Sequence, residues 1–474
     1  MAEQMLKFTV LPQIMPAKRQ AAVRATDFNE IYADFVPQAA VSQASRCSQC
    51  GIPFCAVGCP LSNNIPDWLK FTAEGRLEEA YELASLTNTF PEICGRICPQ
   101  DRLCEASCVI EPGFNAVTIG AIERYVTDTA FAEGWVKPIL PAVERPQSIG
   151  IVGAGPAGLA AAAMLRGFGY QVVVYDRYDR AGGLLIYGIP GFKLDKAIVE
   201  RRWQWLLASK VAFRLGVDIG GVLPFSSLRA AHEAVLIATG VYKKRDHAMP
   251  GAGLNGIVQA LDYLIASNRK TLGDVVPAYE SGQLNAAGKN VVVIGGGDTA
   301  MDCVRTAIRQ RANSVTCLYR RDRKNMPGSL REVKNAEEEG VSFNWLAAPV
   351  AFLGEGKVSA VRAVRVQLGP ADSSGRHSVE PVADSYFSLK AELVIKALGF
   401  EAEDLPVMFN EPHLAVTKSG TLNVNPKNFE TALPGVFAAG DIVRGASLVV
   451  WAIREGRMAA RAIHQRFQNA EKPA

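Results

Sequence analysis

Short apolar runs that stop at glycine or at a charged residue recur through the last two thirds of the chain, and their order predicts its plan. Ser148 to Ala163 (SIGIVGAGPAGLAAAA) reads as a strand, a glycine turn and an alanine-rich helix. Gln171 to Tyr175 predicts a second strand that ends at Asp176, and Ala234 to Gly240 (AVLIATG) a buried strand that ends in a small-residue turn. The series then repeats. Asn290 to Val304 (NVVVIGGGDTAMDCV) again predicts strand, turn and helix, Ser314 to Tyr319 a second strand, and Glu392 to Gly399 (ELVIKALG) the counterpart of AVLIATG. A last short strand, Gly435 to Asp441 (GVFAAGD), leads into a helix from about Ser447 to Gln465. Nearer the start, Ile65, Leu69, Phe71, Leu77, Ala80 and Leu83 give helical spacing over Pro66 to Leu86. A shorter stretch around Phe28 to Phe35 also predicts helix.

The two glycine turns carry the first chemistry. Gly153, Gly155 and Gly158 have the G-x-G-x-x-G spacing of a dinucleotide site: one glycine for the tight turn, one for close approach of a pyrophosphate, one for helix-on-strand contact. The helix start at Pro156 and Ala157 offers unpaired N–H groups and a partial positive charge to the phosphates. Asp176, at the end of the following strand, is placed to accept the hydroxyls of an adenosine ribose. Gly183 and Leu184 in AGGLLIYGIPGFKLDK, with Tyr187 to Pro190 beside the ring system, and the later Gly240, Gly440 and Asp441 complete an expected FAD site. In the second unit Gly295, Gly297 and Ala300, with Asp298 and Thr299 between them, fill G-x-G-x-x-A. Its second strand ends in Arg320 and Arg321 rather than in an acid, with Arg323 and Lys324 close behind. A ribose-binding acid would repel a 2′-phosphate and a guanidinium would bind it, so this unit is expected to take NADPH.

Composition adds a third cofactor. Eight of the ten cysteines fall between Cys47 and Cys108, in a C-x2-C-x4-C-x3-C-P run (Cys47, Cys50, Cys55, Cys59) and a second set (Cys94, Cys98, Cys104, Cys108). Such spacings suit two [4Fe-4S] clusters, with zinc the rival for any four-cysteine site. Cys303 and Cys317 stand alone and suit small buried positions. With 51 basic and 47 acidic residues, the net charge of +4 gives no reason to invoke nucleic acid. Apolar runs are broken well short of a membrane span and no leader-like segment follows Met1, so a soluble cytoplasmic protein is expected.

These segments together, CSQCGIPFCAVGCP, CGRICPQDRLCEASC, GAGPAGL, GGLLIYGIP, GGGDTAMD, YRRDRKNMPGS and AAGDIVRGASLVVWAIREGR, resemble the family of small (beta) subunits of bacterial NADPH-dependent glutamate synthases over essentially the whole chain. The resemblance implies an α-helical iron–sulfur domain (1–146), then an α/β flavoprotein with two dinucleotide-binding domains: a Rossmann-like FAD domain in two parts (147–284 and 405–474) and an inserted NADPH domain (285–404). It also implies an interleaved ligand set, Cys47, Cys50, Cys55 and Glu123 for one cluster and Cys59, Cys98, Cys104 and Cys108 for the other, with Cys94 the alternative to Glu123. The activity implied is hydride transfer from NADPH to FAD, with no acid–base residue required, then single electrons through the clusters to the FMN of a large (alpha) subunit. That partner makes L-glutamate from L-glutamine and 2-oxoglutarate. A related NADPH:acceptor reductase or a bifurcating transhydrogenase subunit is the alternative. A disulfide reductase would need a paired redox cysteine in the second half, and a scaffold with vestigial sites would not keep two complete glycine turns.

Overall fold

The computed structural model describes residues 4–372, 375 and 377–470. Four helices dominate the first part: α1 (Ile65–Ala73), α2 (Leu77–Thr87), α3 (Pro91–Ile97) and α4 (Ile119–Ala132). Gly75, with φ +78°, breaks the expected single helix into α1 and α2. Trp68, Leu69, Ala80, Ile122 and Val126 form the centre of this layer. The stretch 28–35 is not helical. Helix there stops after the single turn Ala21–Arg24, and the chain is instead held extended by the Lys18–Tyr32 bridge and by Ile31 N–H on the Phe192 carbonyl.

Next come β1 (Ser148–Val152), α5 (Pro156–Gly167), β2 (Gln171–Asp176), β3 (Ala212–Leu215) and β4 (Ala234–Ile237), with parallel order β4-β1-β2-β3. Helices cover this sheet, which is why β4 is buried at every position and its sequence has no alternation. The second sheet has β5 (Ile257–Gln259), β6 (Asn290–Ile294), α6 (Asp298–Arg309), β7 (Ser314–Tyr319), α7 (Leu330–Glu338) and β8 (Ser342–Trp345). An antiparallel sheet follows, β9 (Ala347–Glu355), β10 (Lys357–Ala371) and β11 (His377–Lys390), before β12 (Leu393–Lys396) enters the second sheet, whose parallel order is β5-β12-β6-β7-β8. Finally β13 (Val436–Ala438) returns to pair with β4, and α8 (Val449–Ala470) crosses over α5.

Both parallel sheets centre on the strand that opens a glycine turn, as a doubly wound fold requires. The boundary expected at 285 moves: β5 is an edge strand of the second sheet, so the inserted unit begins ahead of residue 257. Its two connections to the first unit run side by side, Lys243–Lys244 pairing with Phe400–Glu401. Buried ion pairs tie the parts together. Arg202 meets Glu92 of α3 through two bonds of 2.7 Å, Lys193 meets Asp302 of α6 at 2.9 Å, and Arg24 of the N-terminal arm reaches Glu339 at 2.9 Å.

Candidate functional site

The first glycine turn is shaped by its neighbours. Gly153 has φ +112°, and a Cβ there would stand 2.3 Å from the Ala238 carbonyl oxygen. At Gly158 a Cβ would stand 1.9 Å from the Gly153 carbonyl oxygen, whereas at Gly155 it would meet nothing within 4 Å. The turn is thus closed on the protein side and open on the other, where Gly153, Gly155, Pro156 and Ala157 line a cleft of about 330 Å³. Asp176 lies in its wall. Its Oδ2 accepts the Ala154 N–H at 2.6 Å and its Oδ1 the Tyr178 N–H at 2.8 Å. Burial raises this carboxyl above the ordinary range and the two N–H groups oppose the rise. Thr239 Oγ1, buried in the same wall, has no hydrogen-bond partner among the described residues, so a polar ligand atom fits there.

Gly183, Leu184, Gly240 and Asp441 line the cleft as well. Burial pushes Asp441 up to about 6, against the bond it accepts from Ser447 Oγ at 2.7 Å. Gly440 stands behind it with φ +82°, its N–H on Glu455 Oε2 at 3.0 Å. Tyr187 departs from expectation. Its ring lies 4.7 Å from that of Tyr178 and its hydroxyl donates to Asp179, while Ile189 of the expected stretch lines the cleft together with Leu185.

The second turn opens into the same cleft through Asp298 and Thr299. A Cβ at Gly295 would stand 2.4 Å from the Ala397 carbonyl oxygen and one at Gly297 would meet nothing, while Ala300 is fully buried against the sheet. The arginine pair divides. Arg320 is exposed at the end of β7, but Arg321 is buried and donates from Nε and Nη2 to the His377 carbonyl at 2.9 and 2.7 Å. Arg323 pairs with Glu337 at 2.9 Å. Expected as equals, Arg320 faces solvent and Arg321 braces β11.

The cysteines regroup. Cys59, Cys94, Cys98, Cys104 and Glu123 line one small cavity with Asn88. Cys47 and Cys55 lie instead within electrostatic reach of Cys50 and Cys108. The neighbours differ from the expected grouping: Cys108 lies near Cys47 and Cys55, and Glu123 beside Cys59, Cys98 and Cys104. Spacing could not decide this, since Glu123 is carried by α4, which turns it toward α3. Burial, then the neighbouring thiols, push Cys47 up to about 11 and Cys55 to about 12, and burial with Glu123 pushes Cys59 to about 11. Such a donor set is costly to ionise unless a cationic centre joins it, which fits iron. Asn88 sorts the two candidates in the smaller cavity. Phe90 N–H donates to Asn88 Oδ1 at 3.0 Å, which fixes the amide so that Nδ2 donates to Glu123 Oε1 at 3.1 Å while Oδ1 accepts the Cys94 thiol at 3.8 Å. Burial pushes Glu123 up to about 8, and the Asn88 amide opposes that rise by donating to it, while the amide oxygen accepts from the Cys94 thiol, which Cys98 and burial push well above the ordinary range. Among the described residues no three His, Cys, Asp or Glu close to the spacing of a single metal ion.

Cys98 also borders the large cleft, which the N-terminal arm closes with Glu30, Ile31 and Tyr32. Sequence reasoning missed Lys193 and Asp302, paired on its wall. Asp302 lies four residues after Asp298 and hence on the same face of α6, a signal that was available. The arm had none.

Residues 24–135 match the family described as dihydropyrimidine dehydrogenase domain II, 4Fe-4S cluster, and residues 147–456 match pyridine nucleotide-disulphide oxidoreductase. The chain is 63% identical over 463 residues to the glutamate synthase [NADPH] small chain of Azospirillum brasilense, covering 98% of this chain and 96% of that one. It is 43% identical to the protein of the same name from Escherichia coli K12, covering 98% and 99%. Among solved structures, Mycobacterium tuberculosis FprA in complex with NADPH aligns with a TM-score of 0.58 at 20% identity, over 69% of this chain and 86% of that one, which places the fold. Among the described residues no helix is long and apolar enough to cross a membrane.

Proposed function

The chain belongs to the NADPH glutamate synthase small-chain family, and from that premise we propose that it feeds electrons from NADPH, by way of FAD and two [4Fe-4S] clusters, to the FMN of a large (alpha) subunit in the cytoplasm. It is an NADPH-dependent oxidoreductase with a 4Fe-4S domain. In this reading the large subunit makes L-glutamate from L-glutamine and 2-oxoglutarate. The observation that carries the proposal is the continuity of one cleft, walled by Gly155 and Asp176 of the first unit, Asp298 and Thr299 of the second, and Cys98 of the cysteine domain. When bound, the nicotinamide and flavin supply hydride transfer and the clusters single-electron transfer, neither of which needs a protein acid or base.

The residues supply placement. Asp176, already held by two backbone N–H groups, accepts the adenosine ribose of FAD, and the start of α5 with Pro156 and Ala157 receives the pyrophosphate. Gly183, Leu184, Gly240, Gly440 and Asp441 line or back the remainder of that site. Gly295, Gly297 and the start of α6 do the same for NADPH, with Arg320 reading the 2′-phosphate from the end of β7. Cys47, Cys50, Cys55 and Cys108 would hold one cluster, and Cys59, Cys98, Cys104 and Glu123 the other. Lys193 and Asp302 neutralise each other on the wall of the same cleft, where Glu30, Ile31 and Tyr32 of the arm would help to keep water from bound nucleotides.

The test is a pull-down of the tagged chain from its own organism, followed by anaerobic NADPH oxidation with L-glutamine and 2-oxoglutarate, each also omitted in turn. Oxidation that requires both and yields glutamate, with the large subunit in the pull-down, supports the proposal. Flavin bleaching by NADPH that is indifferent to both substrates sends the electrons to another acceptor and overturns it.

A further inference from the structure

Residues 322–329, between β7 and α7, form neither strand nor helix, yet they are held on two sides. On the inner side the segment lies along the second glycine turn: Gly328 N–H donates to the Gly296 carbonyl at 3.0 Å, and Ser329 N–H to Asp298 Oδ1 at 3.0 Å. On the outer side it is held by the cysteine domain. Arg102 donates from Nη2 to the Met326 carbonyl at 2.8 Å and from Nη1 to the Pro327 carbonyl, and Ser329 Oγ donates to both oxygens of Asp101 at 3.2 and 3.3 Å. Just beyond, Arg331 reaches Glu105 Oε2 at 2.9 Å and Gln100 Oε1 at 3.3 Å. These contacts come from one short stretch. Gln100–Arg102 is a single helical turn between Cys98 and Cys104, both of which line the smaller cysteine cavity, and Glu105 follows directly.

We propose that Asp101 and Arg102 are positioning residues for NADPH: the loop that presents two cysteines to the second cluster also holds the loop that borders the nucleotide turn, so nucleotide affinity and cluster integrity are coupled. The inference rests on the assignment of NADPH to the Gly295–Gly297 turn. A segment without secondary structure keeps its conformational freedom until contacts remove it, and where Arg102 has removed it in advance, nucleotide binding does not bear that entropy cost. Coupling of this kind is reciprocal. If an intact cysteine loop favours nucleotide binding, bound nucleotide must favour the intact cysteine loop by the same factor.

The experiment uses the full chain with its flavin and iron. NADP⁺ is titrated calorimetrically into wild type, Arg102→Ala, Arg102→Lys and Ser329→Ala, and iron release to a chelator is followed with and without saturating NADP⁺. The Kd for NADP⁺ is expected to rise about tenfold in Arg102→Ala and less in Arg102→Lys, with KM for NADPH following it and kcat holding within about twofold. NADP⁺ should slow iron release from wild type and fail to do so in Arg102→Ala. Ser329→Ala breaks the Asp101 contact from the nucleotide side without altering any residue of the cysteine loop, and keeps the test valid where Arg102→Ala loses iron during purification. An NADP⁺ Kd within about twofold of wild type in the iron-replete variants, or iron release indifferent to NADP⁺ in wild type, overturns the coupling. Wild type that fails to bind NADP⁺ at all refutes the nucleotide assignment instead.

Discussion

Gly158→Ala puts the smallest possible group into the tightest contact of the first dinucleotide unit. Its Cβ would come to 1.9 Å from the Gly153 carbonyl oxygen, 3.1 Å from that carbonyl carbon and 3.2 Å from Ile151 Cγ2, against 3.4–4 Å for ordinary contact. Two of the three atoms are backbone, so no rotamer change relieves the clash. The helix must draw back from the turn by more than an ångström. Overpacking of one methyl costs 1–3 kcal/mol where side chains can adjust, and with backbone on both sides the upper end, about 3 kcal/mol, applies. The displaced groups are the ones proposed to receive the pyrophosphate: the N–H groups at the start of α5 and the Gly153 to Gly155 turn. A similar loss in FAD affinity corresponds to a Kd raised about 100-fold. The measurement is FAD content after gel filtration, with the Kd from fluorescence quenching on deflavinated protein and the melting temperature alongside. Ala300→Gly is the matched control, because the second unit already accommodates a methyl at the equivalent, fully buried position. It should cost about 1 kcal/mol in helix propensity and leave FAD binding unchanged. Stoichiometric FAD and an unaltered melting temperature in Gly158→Ala would refute the reasoning.

Three further outcomes follow from the same contacts. Cys94→Ser should keep near-full iron while Glu123→Ala loses about half, since Asn88 accepts from the Cys94 thiol and donates to the Glu123 carboxyl; the opposite pattern of iron content would restore Cys94 as the ligand. Arg320→Ala should raise KM for NADPH by about tenfold and leave that for NADH nearly unchanged, whereas Arg321→Ala, which strips the brace from the His377 carbonyl, should lower the melting temperature without discriminating the two nucleotides. Buried Glu339, held at about 2 by Arg305 and Arg309 against its own desolvation, should cost about 3 kcal/mol when changed to Gln at pH 7. Because its folded-state value is depressed, that contribution is complete above the ordinary glutamate range near pH 4.5 and is lost as pH falls toward 2. Urea melts at pH 7 and pH 3.5 should therefore show a gap between wild type and variant that narrows in acid; a gap independent of pH would remove the charge from the explanation.

What could be seen in the sequence was whatever depends on residues close together along the chain. A parallel strand covered on both faces shows as an unbroken apolar run, and a turn that must admit a phosphate shows as glycine at fixed spacing. The two units, with Asp176 at the end of a strand, and the crowding of eight cysteines into the first part were legible for this reason. The neighbours of Cys108 and Glu123 were not, because spacing gives the number of ligands within reach of a loop and says nothing of which of two adjacent cavities each faces. That choice is made by α4 lying across α3. The edge strand β5 is only three residues long, too short for any periodicity, so the sequence pattern places the start of the inserted unit late. Of the strands β9 to β11, β11 is largely exposed and carries little apolar pattern, whereas in β10 Val364, Val366 and Leu368 alternate with Arg365 and Gln367, a signal that was available.

The charged residues failed in a more instructive way. Arg24, Arg305, Arg309 and Glu339 look like solvated surface in the sequence, and all four are buried where the N-terminal arm, α6 and α7 meet. Arg102 and Asp101 likewise look like a polar loop, yet their partners lie more than 220 residues away on the loop beside the nucleotide turn. A buried ion pair gains little over a well-packed apolar contact in stability, but it tolerates few alternative geometries, because one partner left alone in the interior is expensive. Three units that must hold two nucleotides and a cluster along one cleft need that intolerance more than they need extra stability. If it is the reason for these pairs, replacing the buried Arg202–Glu92 pair by Met and Leu together should leave the melting temperature within a few degrees of wild type while slowing flavin reduction by NADPH. Reduction at the wild-type rate in a double variant of unchanged stability would show that the pair does not set the alignment.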